Sequence, residues 1–524
     1  MEKVKKKRII SLFLCLTLVL TGAAFVAPVQ SATPDGADIP VIHVIGTGEN
    51  VYRIDENGNE EQVFEMQFTD EYISEKAEIF LPVFAEAFFT QEWDEFCDVL
   101  YDCAVPILSK PALDKNGEVS DGSYIKWSWS RDTLKDKKHN GKYGVTAYEF
   151  LYDWRVSPLE TADILKQYIE DIMYVTGAEE VALYGRCYGS NVVTAYMTKY
   201  DGEHVSEVIH YCSAFYGATQ CSKLFTGEFF VHPDGLNRYL YDIDLGLDNY
   251  VEDFINASVT LLNKTYGLDI ISRAVENVMK DIYLDIFPRL LIASYGTFPS
   301  YWSMVSIEDF DKAMETVFYG VDKAEYAGLI EKINEYRNTV QLTFEDTLKE
   351  QTARGIEYSN IVKYGLQSVP ITKNSDVLSD DTVSVEESSF GATVTEVDEK
   401  FSDEYISAAV ADQRAKYISP DRQIDASTCL LPDTTWFIKD LQHTFFPGCV
   451  NGLVSDIVNN DGFTVDSNPD YPQYLVYERN TGSLVPMTSE NLNTTVRWEV
   501  TFVEALKSFF KSLFAIIKQS IQTT

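Results

Sequence analysis

The stretch EVALYGRCYGSNVVTAYM, residues 180–197, constrains the fold more than any other. A short apolar run ends at Gly185, a turn follows, and apolar residues then recur at helical spacing from Gly189. A strand that passes into a helix through one tight turn holds the residue at its centre in strained backbone. Glycines are needed two positions before and two after, because a β-carbon there would meet the neighbouring strand or helix. Gly185 and Gly189 satisfy that demand, and the residue between them is Cys187. The pattern is a nucleophile elbow with a thiol where many such turns carry serine.

The elbow sits in a series of alternating elements. PVIHVIG (40–46) and YGVTAYEFLYDW (143–154) read as buried strands, and HVSEVIHYCSAF (204–215) as another. Between them LETADILKQYIEDIMYVTG repeats apolar positions at Ile164, Tyr168, Ile169, Ile172 and Met173 and stops at Gly177. Strand and helix alternating at this pace predict an α/β fold, a mostly parallel sheet flanked by helices. Residues 218–365 break the rhythm with long helical, aromatic-rich segments, and read as a cap inserted between core parts at 33–217 and 366–480. TTWFIK (434–439) is expected to be the final strand.

Two apolar segments stand outside this plan. Residues 79–105 put Phe84, Phe88, Phe89, Trp93 and Phe96 at helical intervals, as a lid helix or a helix packed on the core. The tail, 481–524, combines Phe502, Leu506, Phe509, Phe510, Leu513, Phe514 and Ile517 with Lys507, Lys511 and Lys518. It reads either as a helix packed on the core or as an interfacial helix in peripheral contact with a membrane. The lysines interrupt the apolar run and favour a surface helix over a spanning one.

The first ten residues, MEKVKKKRII, are basic, SLFLCLTLVLTGAAFV is apolar, and APVQSA offers a small-residue cleavage site, so residues 1–32 read as a signal peptide and the protein as secreted or displayed at the cell surface. With 43 Lys and Arg against 81 Asp and Glu the chain carries a formal charge of −38, which excludes nucleic acid as a partner. Beyond the leader lie Cys97, Cys103, Cys187, Cys212, Cys221, Cys429 and Cys449. In an exported protein this odd number allows up to three disulfides and one free thiol, with Cys97/Cys103 and Cys212/Cys221 able to close local loops. None has the Cys-x-x-Cys or Cys/His spacing that suits zinc, and no metal or cofactor is expected.

A nucleophile at such a turn needs an acid and then a histidine later in the chain. Of six histidines, His43 and His139 precede Cys187, His204 and His210 belong to the next strand, and His232 lies in the insertion. His443 follows TTWFIK on a loop, where the carboxyl edge of the sheet presents it to the elbow, and His232 is the alternative. For the acid, Asp380 in SDDTVSVEESS follows a probable strand, and Asp421 in SPDRQIDAST is the second candidate. Oxyanion donors are expected from the backbone N–H of Tyr188 and of Thr47, the latter between Gly46 and Gly48. A thiol is a competent nucleophile here, because a helix N-terminus and a histidine both lower its pKa. The other reading is an inert buried thiol in a non-catalytic surface protein that binds a ligand or partner.

These residues also resemble a known family. PVIHVIGTGEN is similar to the Pro-Val-x-x-Val-Pro-Gly opening of the lecithin:cholesterol acyltransferase family, and YDWRVSP to its Tyr-Asp-Trp-Arg signature. SDDTVSVEES resembles the family's Gly-Asp-x-Thr-Val acid loop, and DLQHTFF its histidine loop; the likeness covers 40–217 and 370–450, leaving the insertion and the tail unmatched. Ile45, Arg186, Ser379 and Cys187 replace the usual proline, histidine, glycine and serine. The resemblance implies an α/β-hydrolase fold, a lipid or other apolar ester substrate, and hydrolysis or acyl transfer through Cys187, His443 and Asp380, with Thr47 and Tyr188 as oxyanion donors.

Overall fold

The computed structural model describes residues 39–522 other than 49, 56, 65–75, 77, 78, 81, 85, 88, 140–147, 229, 231, 243–248, 371–375 and 493–499. The expected signal peptide therefore lies outside the described residues, as do Phe88 and the start of the YGVTAYEFLYDW strand. Eight strands form the central sheet: β1 (Val41–Val44), β2 (Tyr148–Phe150), β3 (Val181–Arg186), β4 (Val205–Tyr211), β5 (Glu357–Tyr364), β6 (Thr435–Lys439), β7 (Tyr474–Glu478) and β8 (Ser483–Pro486). Their order is β8-β7-β6-β5-β4-β3-β1-β2. Every neighbouring pair is parallel except β7 with β8. The α/β fold read from the sequence is present.

Local chemistry explains the elements around the elbow. All six residues of β3 are buried, as a central parallel strand covered on both faces requires. The first of the helices labelled here, α1 (Asp94–Leu108), precedes α2 (Pro158–Thr176), which shows how a helix is fixed at both ends. Ser157 accepts the Leu159 N–H, Pro158 sets the first turn, and Gly177 closes the helix at φ 75°. Tyr168, Ile169 and Ile172 face the core as expected, but Ile164 is exposed, since it falls on the solvent side of the helical stripe. α3 (Gly189–Lys199) leaves the elbow and is buried almost throughout.

Several sequence boundaries need correction. The segment assigned to the insertion ends in helix at Ala353, and residues 357–364 are β5, a central strand. Its run EYSNIVKY hides that role, because Asn360 and Lys363 are polar yet fully buried. β6 is not the last strand; β7 and β8 extend the sheet to Pro486. The helix expected over 79–105 is broken: helical positions run to Thr90, Gln91 adopts φ 62°, and α1 restarts at Asp94. Its aromatics pack on one another across the break, Phe80 on Phe96 at 5.0 Å and Phe84 on Phe96 at 5.4 Å, while Phe89 stays exposed.

Among the described residues the disulfides allowed by the sequence are not formed: none of the seven cysteines beyond the leader is bridged to another. Cys97 and Cys103 share α1, where six residues advance the chain by about 9 Å, beyond the reach of a disulfide. The tail forms a helix packed on the insertion rather than on the sheet. α4 (Asn249–Lys264) meets α5 (Phe502–Gln522) with the Phe254 and Phe509 rings 4.9 Å apart.

Candidate active site

β3 delivers Cys187 into a turn whose geometry leaves no room for larger flanking residues. Cys187 sits at φ 52° and donates its backbone N–H to the Tyr211 carbonyl at 2.9 Å. A β-carbon on Gly189 would lie 2.2 Å from the Val44 carbonyl oxygen, and one on Gly185 would lie 2.9 Å from Ser190 Cα. Both glycines are therefore steric requirements of the elbow, as the sequence predicted.

The later loops converge on this thiol. His443 follows β6, and its Nε2 lies 3.0 Å from Cys187 Sγ. Its Nδ1 lies 2.7 Å from Asp380 Oδ2, and its backbone N–H donates to the Asp380 carbonyl at 2.8 Å. Asp380 is completely buried, and its Oδ1 accepts the N–H groups of Val383 (2.8 Å) and Thr382 (3.1 Å). The carboxylate is thus oriented by backbone donors while its other oxygen holds the imidazole.

The alternatives are occupied elsewhere. Asp421 is buried between Lys439 Nζ, at 2.7 Å, and the Tyr364 hydroxyl, at 3.0 Å. His232 accepts the Gly235 N–H and lies 3.4 Å from Asp376. His43 stacks on Tyr184 within the sheet, and His210 is buried against the Phe390 ring.

Electrostatics favour an ion pair across the 3.0 Å contact. Burial works against ionising the Cys187 thiol, but His443 and the Tyr188 backbone N–H together hold its pKa below the ordinary value. Burial likewise opposes charging His443, yet Asp380 and the neighbouring thiols raise its pKa well above the usual imidazole range. Opposite shifts on two touching groups describe a thiolate facing an imidazolium. The adjacent Asp381 is buried beside Asp380, and that burial and like charge push it up to about 7.

The loop after β1 approaches from the other side. A β-carbon on Gly46 would lie 3.0 Å from Cys187 Cβ, so the backbone preceding Thr47 packs directly against the nucleophile position. The Tyr152 hydroxyl donates to the Ile45 carbonyl at 2.6 Å, and Trp154 Nε1 to the Gly48 carbonyl at 2.9 Å. Two side chains of the YDWR motif thereby tie back the carbonyls that flank Thr47. That role was not legible in the sequence, because the contacts span more than a hundred residues.

Cys212, just after β4, was read from the sequence only as a possible disulfide partner. It is in register beyond the Arg186–Tyr211 pair, and its sulfur, with donor atoms of Asp380 and His443, forms a cluster within 4.8 Å. That set of three could ligate a metal ion, but Asp380 and His443 are already bonded to each other, which accounts for their closeness.

With the geometry described, the chain can be compared with known proteins. The family model for lecithin:cholesterol acyltransferase matches residues 123–262, and the resemblance drawn from the motifs is borne out. The match covers YDWR, the elbow and Tyr188, and it extends into the insertion that the motifs left unmatched, ending within α4. Asp380 and His443 lie beyond it and rest on geometry alone. No curated protein matches the chain.

Proposed function

Starting from an α/β-hydrolase core of the lecithin:cholesterol acyltransferase type with a thiol at its elbow, we propose that the protein is an exported enzyme that cleaves or transfers the acyl group of lipid-like esters through Cys187, His443 and Asp380. The observation that carries this reading is the unbroken contact chain Cys187 Sγ, His443, Asp380 at 3.0 and 2.7 Å. Two touching groups with opposite pKa shifts support it further.

In the proposed reaction the thiolate attacks the ester carbonyl carbon, a carbon–sulfur bond forms, and the carbonyl oxygen takes the negative charge. The N–H groups of Tyr188 and Thr47 stabilise that oxyanion. His443 Nε2 then gives its proton to the departing alkoxide as the carbon–oxygen bond breaks, leaving an acyl-thioenzyme. Neutral His443 next takes a proton from water or an acceptor hydroxyl, whose oxygen attacks the thioester and releases thiolate. Asp380 holds the imidazole in the orientation that serves both steps.

The test is a mass-spectrometric scan of the Cys187 peptide after exposure to mixed lipids. An added mass equal to a fatty acyl group is expected on Cys187. Absence of any adduct, together with turnover of short soluble esters but none of micellar lipid, would exclude a lipid substrate.

We also propose that α5 touches a lipid surface. Its Ala505 and Ser512 are buried and Phe509 faces α4, whereas Phe502, Val503, Leu506, Phe510 and Phe514 are exposed. Exposed Lys507 and Lys511 sit beside that apolar stripe in a strongly acidic protein. Among the described residues no helix is long and apolar enough to cross a membrane. Phe510→Ser/Phe514→Ser is expected to abolish co-sedimentation with mixed phosphatidylcholine–phosphatidylglycerol vesicles; retention equal to wild type would refute the contact.

A further inference from the structure

The loop that carries His443 is held by a buried cation. Lys363 lies in β5, at the middle of the sheet, and is completely buried. Its Nζ donates to the carbonyls of Gln442 (3.1 Å), His443 (2.8 Å) and Phe445 (2.9 Å). An ammonium has three N–H groups, and all three are used on one stretch of four residues. Those carbonyls belong to irregular backbone between β6 and the next helix, where no ladder is at hand to satisfy them.

The rings around the ammonium complete the clamp. Lys363 Nζ lies 3.7 Å from the centroid of Phe446 and 4.7 Å from that of Tyr211. The Arg186 guanidinium, from the residue before the nucleophile, lies 3.9 Å from the same Phe446 ring. The histidine loop is thus gripped from β5 by hydrogen bonds and from both β3 and β5 by cation–π contacts.

Burying an ammonium without a bonded carboxylate is costly, and an apolar side chain in a central strand would pack at lower cost. Burial does push the Lys363 pKa down, opposed by Cys212, Asp380 and Asp381. The cost has a return at the triad, because the backbone being fixed is that of His443 itself. We propose that Lys363 is a positioning residue of the catalytic machinery, fixing residues 442–445 so that His443 Nε2 stays within reach of the Cys187 sulfur. The inference rests on the reading of Cys187 as the nucleophile.

The test follows the pH dependence of Cys187 alkylation by iodoacetamide, quantified on the Cys187 peptide, alongside kcat and KM on an ester that the wild type turns over. In the wild type the thiolate should persist into mild acid. Lys363→Met keeps the stem and removes the three donors, and the His443 N–H bond to Asp380 remains to tether the loop. This variant is expected to be alkylated about tenfold or more slowly at pH 6, with its inflection moved up toward an ordinary thiol, and to lose kcat with KM unchanged. Lys363→Gln retains two donors, should fall between, and carries the test if the methionine variant does not fold. A folded variant whose alkylation profile and kcat coincide with wild type overturns the proposal. A wild type that itself behaves as an ordinary thiol overturns the nucleophile reading and this proposal with it, and is told apart because the defect is then present before any change at Lys363.

Discussion

Cys187→Ala is expected to reduce ester turnover by about 10⁴-fold or more and to abolish labelling by a fluorophosphonate or chloroacetamide probe. The magnitude follows from losing the acyl acceptor altogether, with only the oxyanion donors and substrate binding left to act. Specificity of the label is equally informative, because the other thiols near the site have pKa values raised by burial. Burial pushes both Cys212 and Cys221 up. Among these neighbours, Cys187 is the one whose pKa is lowered.

The sign of the pH dependence follows from those directions. Below the lowered pKa of Cys187 the sulfur takes up a proton and alkylation slows. Above the raised pKa of His443 the imidazolium that donates to the leaving group is lost. The ion pair therefore occupies the window between, and iodoacetamide should modify Cys187 at pH values well under the ordinary thiol pKa of about 8.5. Labelling that survives in Cys187→Ala, or a wild-type profile that rises only near that value, would contradict a catalytic thiolate.

What could be read from the sequence was set by how local each constraint is. The elbow was legible because its pattern is local: Gly185 answers a demand made five residues on, where its β-carbon would lie 2.9 Å from Ser190 Cα, although the demand on Gly189 comes from the Val44 oxygen of β1, 2.2 Å from its β-carbon. His443 was reached because only six histidines exist: His43 and His139 fall before the nucleophile, His204 and His210 belong to the next strand, and His232 lies in the insertion. The end of α2 was legible through Gly177, whereas its start at Ser157-Pro158 was not singled out.

The missed features depend on partners far along the chain. Lys363 in NIVKYG carries no sign of burial, and its acceptors lie 79 to 82 residues later. The break after Thr90 has no glycine or proline to announce it, since Gln91 itself takes the left-handed conformation. β5 was hidden because Asn360 also finds a remote partner, donating to the Ser388 carbonyl at 2.8 Å. Polar residues in a central strand read as surface until those partners are known.

Asp380→Asn separates the two carboxylates that chain order alone left open. Its Oδ1 accepts two backbone N–H groups, so the amide oxygen can take that place and turn its NH₂ toward His443. Nδ1 must then accept rather than donate, which moves the ring proton to Nε2 in the neutral histidine and removes the carboxylate that supports the imidazolium. A loss in kcat of about 10³–10⁴-fold is expected, with the Cys187 alkylation inflection shifted upward. Asp421→Asn should act differently, because it leaves Lys439 buried beside a neutral partner at a site that touches neither His443 nor Cys187. That variant is expected to melt at a lower temperature while its Cys187 alkylation profile stays that of the wild type. If instead Asp421→Asn shifts the profile and Asp380→Asn does not, the acid has been misassigned, and the 2.7 Å contact between Asp380 and His443 does not serve catalysis.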